Sequence, residues 1–369
     1  MGIKISKEPK LTHETYTFVS QKKADASAWV FTDPTKGMRK VHIKFPEIKP
    51  NELRIQVTYT GLCHSDLHVV RQDWFPCTYP IAPGHEVVGV VTKVGSSVTK
   101  FKIGDRVGFG CNREACGKCK ACKNNCEQLC FVLNPQLEQA FTYGPKFWGG
   151  YSSHMQQPAD WFFKLPSNLP ENKIPPLFCA GVTTYTPVAK YAKKGDEVAV
   201  LGVGGLGHMA VQYAKAWGCK VTAFTSSKSK EEFIKKLGAD RVVVGNAETY
   251  KQEAGKFDVV LNSLPDSEDF NQYIGLTAPL GTFVQLGLPK FSKPANINPA
   301  SVIFGHIKFT GSMTGSRRDI EDMLAFSAKH NIVPLCEEFD YKNFPKLLIS
   351  LRMVSLSLDV LLNAPIINL

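Results

Sequence analysis

A chain of 369 residues, 43% hydrophobic and 21% charged, has the composition of an ordinary soluble globular protein and the length of two domains. No run approaches the roughly 18 apolar residues of a membrane-spanning helix, and the polar N-terminus lacks the apolar centre of a secretory signal, so a cytoplasmic protein without a stable membrane anchor is expected. The net charge of +11, from 44 basic against 33 acidic side chains, is spread along the chain without a dense basic tract; it reads as solvated surface and argues against a nucleic-acid partner.

In chain order, residues 1–27 read as a polar, lysine-rich, loosely held extension. It opens with Met1-Gly2-Ile3-Lys4-Ile5-Ser6, which fits M-G-x-x-x-[ST], a pattern for N-myristoylation at Gly2, although one acyl chain anchors only marginally. From about Trp29, short β-like runs at 52–60, 86–94 and 106–108 alternate with Gly/Pro punctuation, the texture of a small β-barrel over 28–179. After Cys179 the texture changes. Residues 197–201 form a compact apolar strand candidate, followed by a glycine turn and a helical pattern at 209–217. A strand at 220–224, a helix at 230–237 and strands at 241–244 and 258–262 continue the series. Alternating strand and helix predicts α/β architecture over 180–318, with a doubly wound parallel sheet. Residues 319–369 are expected to return to the first domain.

The glycine turn reads Gly202-Val203-Gly204-Gly205-Leu206-Gly207, a G-x-G-x-x-G between a strand and a helix. Gly202 permits the tight turn, Gly204 lets backbone approach a pyrophosphate, and Gly207 lets helix and strand pack closely. An NAD site carries an acid about 20 residues on, at the end of the second strand. Here that position reads Thr225-Ser226-Ser227-Lys228-Ser229-Lys230, and the first acid is Glu231. Hydroxyls and an ammonium would hold a 2′-phosphate that a carboxylate would repel, so NADP(H) is expected.

Five of the eleven cysteines crowd into 116–130, which in a reducing compartment favours metal. Cys116, Cys119, Cys122 and Cys130 offer four sulfurs that can close a tetrahedral structural zinc site; a redox dithiol is the competing reading, and the role of Cys126 stays open. A second, dispersed constellation comprises Cys63, the pair His85-Glu86, and Cys179 at the join between the two textures. Near it, Cys63-His64-Ser65-Asp66-Leu67-His68 packs several polar side chains into one turn. Trp74, Phe75, Phe147 and Trp148 are either pocket walls or core.

Gly61-Leu62-Cys63-His64-Ser65-Asp66-Leu67-His68, Gly84-His85-Glu86-Val87-Val88-Gly89, Gly104-Asp105-Arg106-Val107, the four-cysteine loop and the glycine turn occur in one order. This order resembles the zinc-containing medium-chain dehydrogenase/reductase superfamily. Cys179-Ala180-Gly181-Val182-Thr183-Thr184-Tyr185 and Gly311-Ser312-Met313-Thr314-Gly315-Ser316 resemble its cinnamyl alcohol dehydrogenase branch. The similarity runs from about residue 28 to about 345. It implies a GroES-like β-barrel catalytic domain joined to a Rossmann domain, two zinc ions per subunit, NADP(H) and a homodimer. It further implies that Cys63, His85 and Cys179 ligate catalytic zinc, that Glu86 takes the fourth position when water or substrate does not, and that Asp66 orients the histidine ligand. Ser65 and His68 match the proton relay. His64 lies near the pyrophosphate; Ser226, Ser227 and Lys228 match the 2′-phosphate site; Thr183 and Ser312 match cofactor contacts. The chain departs from the family in its N-terminal extension and in the apolar stretch from Leu347 on.

The implied reaction is zinc-assisted hydride transfer between NADP(H) and primary alcohols or aldehydes, aromatic or medium-chain aliphatic, with Ser65 and His68 carrying the proton. A zinc-free or non-catalytic NADPH-binding sensor of the same fold is the alternative; it would require loss of catalytic ligands, yet all are present.

Overall fold

The computed structural model describes residues 16–35, 37–134, 148–264, 270–289 and 296–341, together with the backbone of 366–368. Gly2, Phe147 and most of the apolar C-terminal stretch lie outside the described residues.

The N-terminal half is antiparallel. β1 (Thr17–Phe18), β2 (Ala26–Phe31) and β3 (Met38–Lys44) form a sheet in the order β1-β3-β2. A larger sheet is built on β4 (Glu52–Gly61), whose Leu53, Ile55 and Val57 are buried while Gln56 is exposed, the period of two of a half-buried strand. β4 leads into α1 (His64–Val70) and pairs with β5 (Val87–Val94); β6 (Arg106–Phe109) pairs with β5, β7 (His154–Pro158) pairs back onto β4, and β8 (Phe162–Lys164) pairs with β6. Two short helices, α2 (Lys120–Lys123) and α3 (Cys130–Leu133), lie in the cysteine-rich loop.

The extension expected over 1–27 is not loose from Tyr16 onward. Thr17 and Phe18 pair with Lys44 and Ile43, and Tyr16 is buried with its ring 4.9 Å from that of Trp148. Two aromatic side chains in a lysine-rich context close the end of this sheet, and their partner is more than a hundred residues away. Trp148 is fully buried in the same cluster, so it is core rather than a pocket wall.

The second half alternates. After α4 (Ala180–Tyr191) come β9 (Glu197–Leu201), α5 (Gly207–Ala216), β10 (Lys220–Thr225), α6 (Glu231–Lys236), β11 (Arg241–Val244), α7 (Ala247–Gln252) and β12 (Phe257–Asn262). Then follow α8 (Phe270–Ile274), β13 (Thr277–Gln285), α9 (Pro299–Ile303), β14 (Lys308–Gly311) and α10 (Arg317–His330). The strands form one sheet in the order β11-β10-β9-β12-β13-β14 with every neighbouring pair parallel, the expected doubly wound arrangement. Along β9, Val198 and Val200 enter one core with Met209 and Val211, while Ala199 and Leu201 enter the opposite core with Phe224 and Phe257. Both faces are therefore covered, as a parallel sheet requires. The order reverses between β9 and β12, and ligands of such sheets bind beyond the carboxyl ends of the strands at that point. The helix expected at 230–237 is shorter: a 3-10 turn at Lys228–Lys230 precedes α6.

Beyond α10 the chain returns to the antiparallel sheet. β15 (Glu338–Asp340) runs parallel to β16 (Ile366–Asn368), and β16 pairs antiparallel with Tyr59, Thr60 and Gly61 of β4. The apolar tail thus still delivers a strand beside the residues leading to Cys63. Among the described residues no helix is long and apolar enough to cross a membrane.

Candidate metal and dinucleotide sites

Three segments converge: the end of β4, the approach to β5 and the start of α4. β4 ends at Gly61, whose N–H donates to the Glu86 carbonyl at 2.7 Å. Two residues on, Cys63 is the N-cap of α1, in extended conformation, with its sulfur accepting from the Ser65 N–H. His85 and Glu86 immediately precede β5, and Cys179 stands at the start of α4. The candidate ligand atoms of Cys63, His85, Glu86 and Cys179 all lie within 4.8 Å of one another.

Such crowding is costly without a cation. Cys179 and burial push the Cys63 thiol well above its usual value; neighbouring Cys111 does the same to Cys179, up to about 12. Burial lifts the Glu86 carboxyl to about 7. Two thiols, a carboxyl and an imidazole are zinc donors by type, and a dication between them would favour the deprotonated forms that their mutual repulsion resists. The residues therefore fit a zinc ion.

Asp66 orders this cluster. Its Oδ1 accepts from the Gly84 N–H at 3.0 Å and faces His85 Nδ1 at 3.0 Å; its Oδ2 accepts from the Cys63 N–H at 3.2 Å and from the Tyr151 hydroxyl at 2.6 Å. With Nδ1–H directed at Asp66, Nε2 is the nitrogen of His85 that keeps a lone pair for a metal. Tyr151 was not singled out by the sequence reading. It lies 85 residues from Asp66, and only the preceding Gly149-Gly150 marks the segment as one that approaches other backbone closely.

Ser65 and His68 lie three residues apart on α1 and so share one face. His68 Nδ1 is 2.7 Å from Asp73 Oδ2, and its ring stacks on Trp74 with centroids 4.6 Å apart. The Trp74 indole N–H in turn donates to the Pro289 carbonyl at 3.2 Å, joining the loop after α1 to the segment after β13. Asp73 was also missed, though its position just beyond the helix end was a usable local signal. His64 is exposed, its ring 5.0 Å from that of His68, and Phe75 is half exposed.

The four-cysteine loop closes on itself. Cys119 Sγ lies 3.6 Å from Cys122 Sγ and 3.9 Å from Cys130 Sγ, and Cys116 Sγ lies 4.0 Å from Cys122 Sγ. A tetrahedron with zinc–sulfur bonds of about 2.3 Å has edges of about 3.8 Å, whereas a disulfide needs about 2.05 Å. The spacing fits zinc and not a dithiol pair. Backbone N–H groups of Lys118 and Cys119 pull the Cys116 thiol down to about 6. Cys126 stays outside the cluster, its thiol directed at the Asn124 carbonyl.

The glycine turn joins β9 to α5. Gly202 has φ +77°, and a Cβ on Gly207 would strike the Gly202 carbonyl oxygen, so turn and packing each require glycine. A Cβ on Gly204 or Gly205 would meet nothing within 4 Å, an open approach facing the N-terminus of α5. Val203 is buried, and Leu206 caps α5. Ser226, Ser227 and Lys228 follow β10, the parallel neighbour of β9; Ser226 and Lys228 are exposed, and the Ser227 and Ser229 hydroxyls lie 2.7 Å apart. Ser312 follows β14, and Thr183 is buried in the first turn of α4.

Residues 49–167 match the family model of the alcohol dehydrogenase GroES-like domain, and residues 205–329 match that of the zinc-binding dehydrogenase. NADP-dependent alcohol dehydrogenase C 1 of Mycolicibacterium smegmatis is 38% identical over 319 residues, covering 84% of this chain and 90% of that protein. Cinnamyl alcohol dehydrogenase 2 of Rauvolfia serpentina is 36% identical over 345 residues, covering 92% and 93%. Among solved structures, a cinnamyl alcohol dehydrogenase from Sorghum bicolor superposes with a TM-score of 0.84 at 32% identity, over 93% of this chain and 97% of that one. With its GroES-like and Rossmann-type halves, the chain belongs to the zinc-type medium-chain dehydrogenase family, in the cinnamyl alcohol dehydrogenase-like branch.

Proposed function

We propose that this alcohol dehydrogenase moves hydride between NADP(H) and primary alcohols or aldehydes, aromatic or medium-chain aliphatic, at a zinc ion held by Cys63, His85 and Cys179 with Glu86 in reserve. The observation that carries the reading is the convergence of those four donors from three separate segments to within 4.8 Å. When bound, zinc would supply a Lewis acid for negative charge developing on the carbonyl oxygen, and NADPH the hydride. Asp66 keeps His85 turned so that Nε2 faces the metal position. Ser65 gives the product oxygen the proton it needs and is reprotonated from the side of His68, whose Nδ1 is fixed by Asp73; in alcohol oxidation the proton runs the other way. Trp74, stacked on His68, covers one face of that histidine against bulk water.

For the cofactor, the open glycine turn at the α5 N-terminus suits a pyrophosphate, and the absence of a carboxylate among Ser226, Ser227 and Lys228 favours NADP(H). We assign Cys116, Cys119, Cys122 and Cys130 to a second, structural zinc. A zinc-free sensor would have no need of the Cys63–His85–Glu86–Cys179 convergence and is not favoured.

Metal content together with aldehyde-dependent loss of NADPH absorbance tests the assignment. Wild type should carry zinc and reduce aldehydes; Cys63→Ser and His85→Ala should lose turnover by at least about a thousandfold, roughly 4 kcal/mol, while still binding NADPH. Full activity in either variant would remove zinc catalysis from this site.

A further inference from the structure

The segment Trp148–Tyr151 is fastened to the backbone just before the ligand pair His85-Glu86. Gly150 N–H donates to the Gly84 carbonyl at 2.9 Å, and Tyr151 N–H donates to the Pro83 carbonyl at 3.0 Å, immediately before His85. Gly84 sits at φ +106°, and a Cβ there would lie 2.8 Å from the Tyr151 ring, so the ring lies directly on the backbone that leads into the ligand. The far end of the same side chain reaches Asp66 Oδ2 at 2.6 Å. Tyr151 therefore touches the backbone leading into His85 and the carboxylate that turns His85, at one place. Both it and Asp66 are at most 1% exposed, so no water competes for either group.

We infer that Tyr151 is a positioning residue for the catalytic metal: its hydroxyl holds the Asp66 carboxylate in the orientation that directs His85 Nε2 into the metal position. The inference rests on the zinc reading above. A carboxylate held by a single neighbour can rotate about its Cβ–Cγ bond; Asp66 is pinned at both oxygens, and the tyrosine supplies the shortest of the four contacts. Burial and the adjacent Asp66 carboxylate keep the phenol protonated, so it acts as a donor. Partners at this remove from a metal typically change its affinity or the activity by 10–100-fold when removed.

The test is Tyr151→Phe, which keeps the ring against Gly84 and removes only the hydroxyl. The protein is loaded with cobalt(II) at the catalytic position, and the ligand-field absorption and the rate of metal loss to a chelator are measured beside kcat and the KM for NADPH. Tyr79→Phe serves as the comparison: it removes a phenol of the same hydrophobic cluster whose hydroxyl donates to the Val70 carbonyl at 2.6 Å and does not meet Asp66. The expected result is a shifted cobalt spectrum, metal loss faster by about tenfold and a lower kcat at unchanged NADPH KM, in Tyr151→Phe only. In the double variant with Asp66→Asn, metal loss should be no faster than in Asp66→Asn alone, because the tyrosine acts through that carboxylate. Should Tyr151→Phe misfold, 3-fluorotyrosine at position 151 retains the volume and alters the phenol acidity, and it should still move the cobalt spectrum. An unmoved spectrum and unmoved metal loss in the folded variant overturn the role of Tyr151 alone. Wild-type protein that takes up no cobalt at the Cys63 cluster overturns the zinc reading as well.

Discussion

At the scale of single residues, the chemistry divides into what is close in sequence and what is not. The proposed NADP(H) preference is assigned to Ser226, Ser227 and Lys228, three adjacent side chains just beyond β10. Ser226→Asp places a carboxylate where the 2′-phosphate is proposed to sit. The KM for NADPH should rise by at least about tenfold, equivalent to roughly 1.4 kcal/mol of repulsion, and the preference should move toward NADH. Unchanged NADPH kinetics would detach these residues from the phosphate. The placement of this turn just after β10 was legible because a short turn after a strand carries its own signal. Asp66 was legible as the partner of His85 only through family resemblance, and the Tyr151 hydroxyl on its other oxygen was not legible at all, since nothing local links positions 85 residues apart.

At the scale of elements, the cysteine-rich loop and α5 make different demands. The loop has little core of its own: Val132 and Leu133 are exposed, so closure of its four sulfurs must do most of the holding. Cys116→Ser should lower the melting temperature by about 4 °C, corresponding to about 3 kcal/mol, with loss of zinc; a stable, zinc-poor variant would count against the structural role. In α5, His208 directs Nδ1 at the Gly204 carbonyl and accepts the Leu335 N–H on Nε2 at 3.3 Å, which requires the neutral ring. Burial lowers its pKa below the usual 6.5. The unfolded chain therefore binds this proton more readily than the folded one, so stability is complete above about pH 6.5 and falls as the pH drops from there toward the folded value. His208→Gln, which keeps an acceptor without a titrating ring, should flatten the dependence of melting temperature on pH between about 5 and 7. An identical slope in variant and wild type would assign the titration elsewhere.

Strand and helix positions were mostly legible because apolar side chains recur at periods of two and of three to four. Tyr16 to Phe18 were not: a two-residue strand has no period to read, and its reason for existing is Trp148, far along the chain.

At the scale of the whole molecule, the parallel sheet ends in an edge. β14 pairs only with β13 among the described residues, and Ile303, Phe304, Leu280 and Phe309 are exposed beside it. An open edge flanked by apolar side chains is a template for a second copy. The homodimer that the family resemblance implies is expected to pair at this edge. Phe304→Asp should turn dimer into monomer in light scattering at micromolar concentration; wild-type protein that is already monomeric there would end the proposal.

The two halves of the chain also meet through one indole. Trp74 lies flat on His68 and is tied at its nitrogen to Pro289, beyond β13. Any parting of the chain here must either sever that tether or drag the indole off the imidazole. In the proposed reaction, opening at this joint would therefore bare the proton-carrying imidazole to solvent at the same moment that it frees the nucleotide.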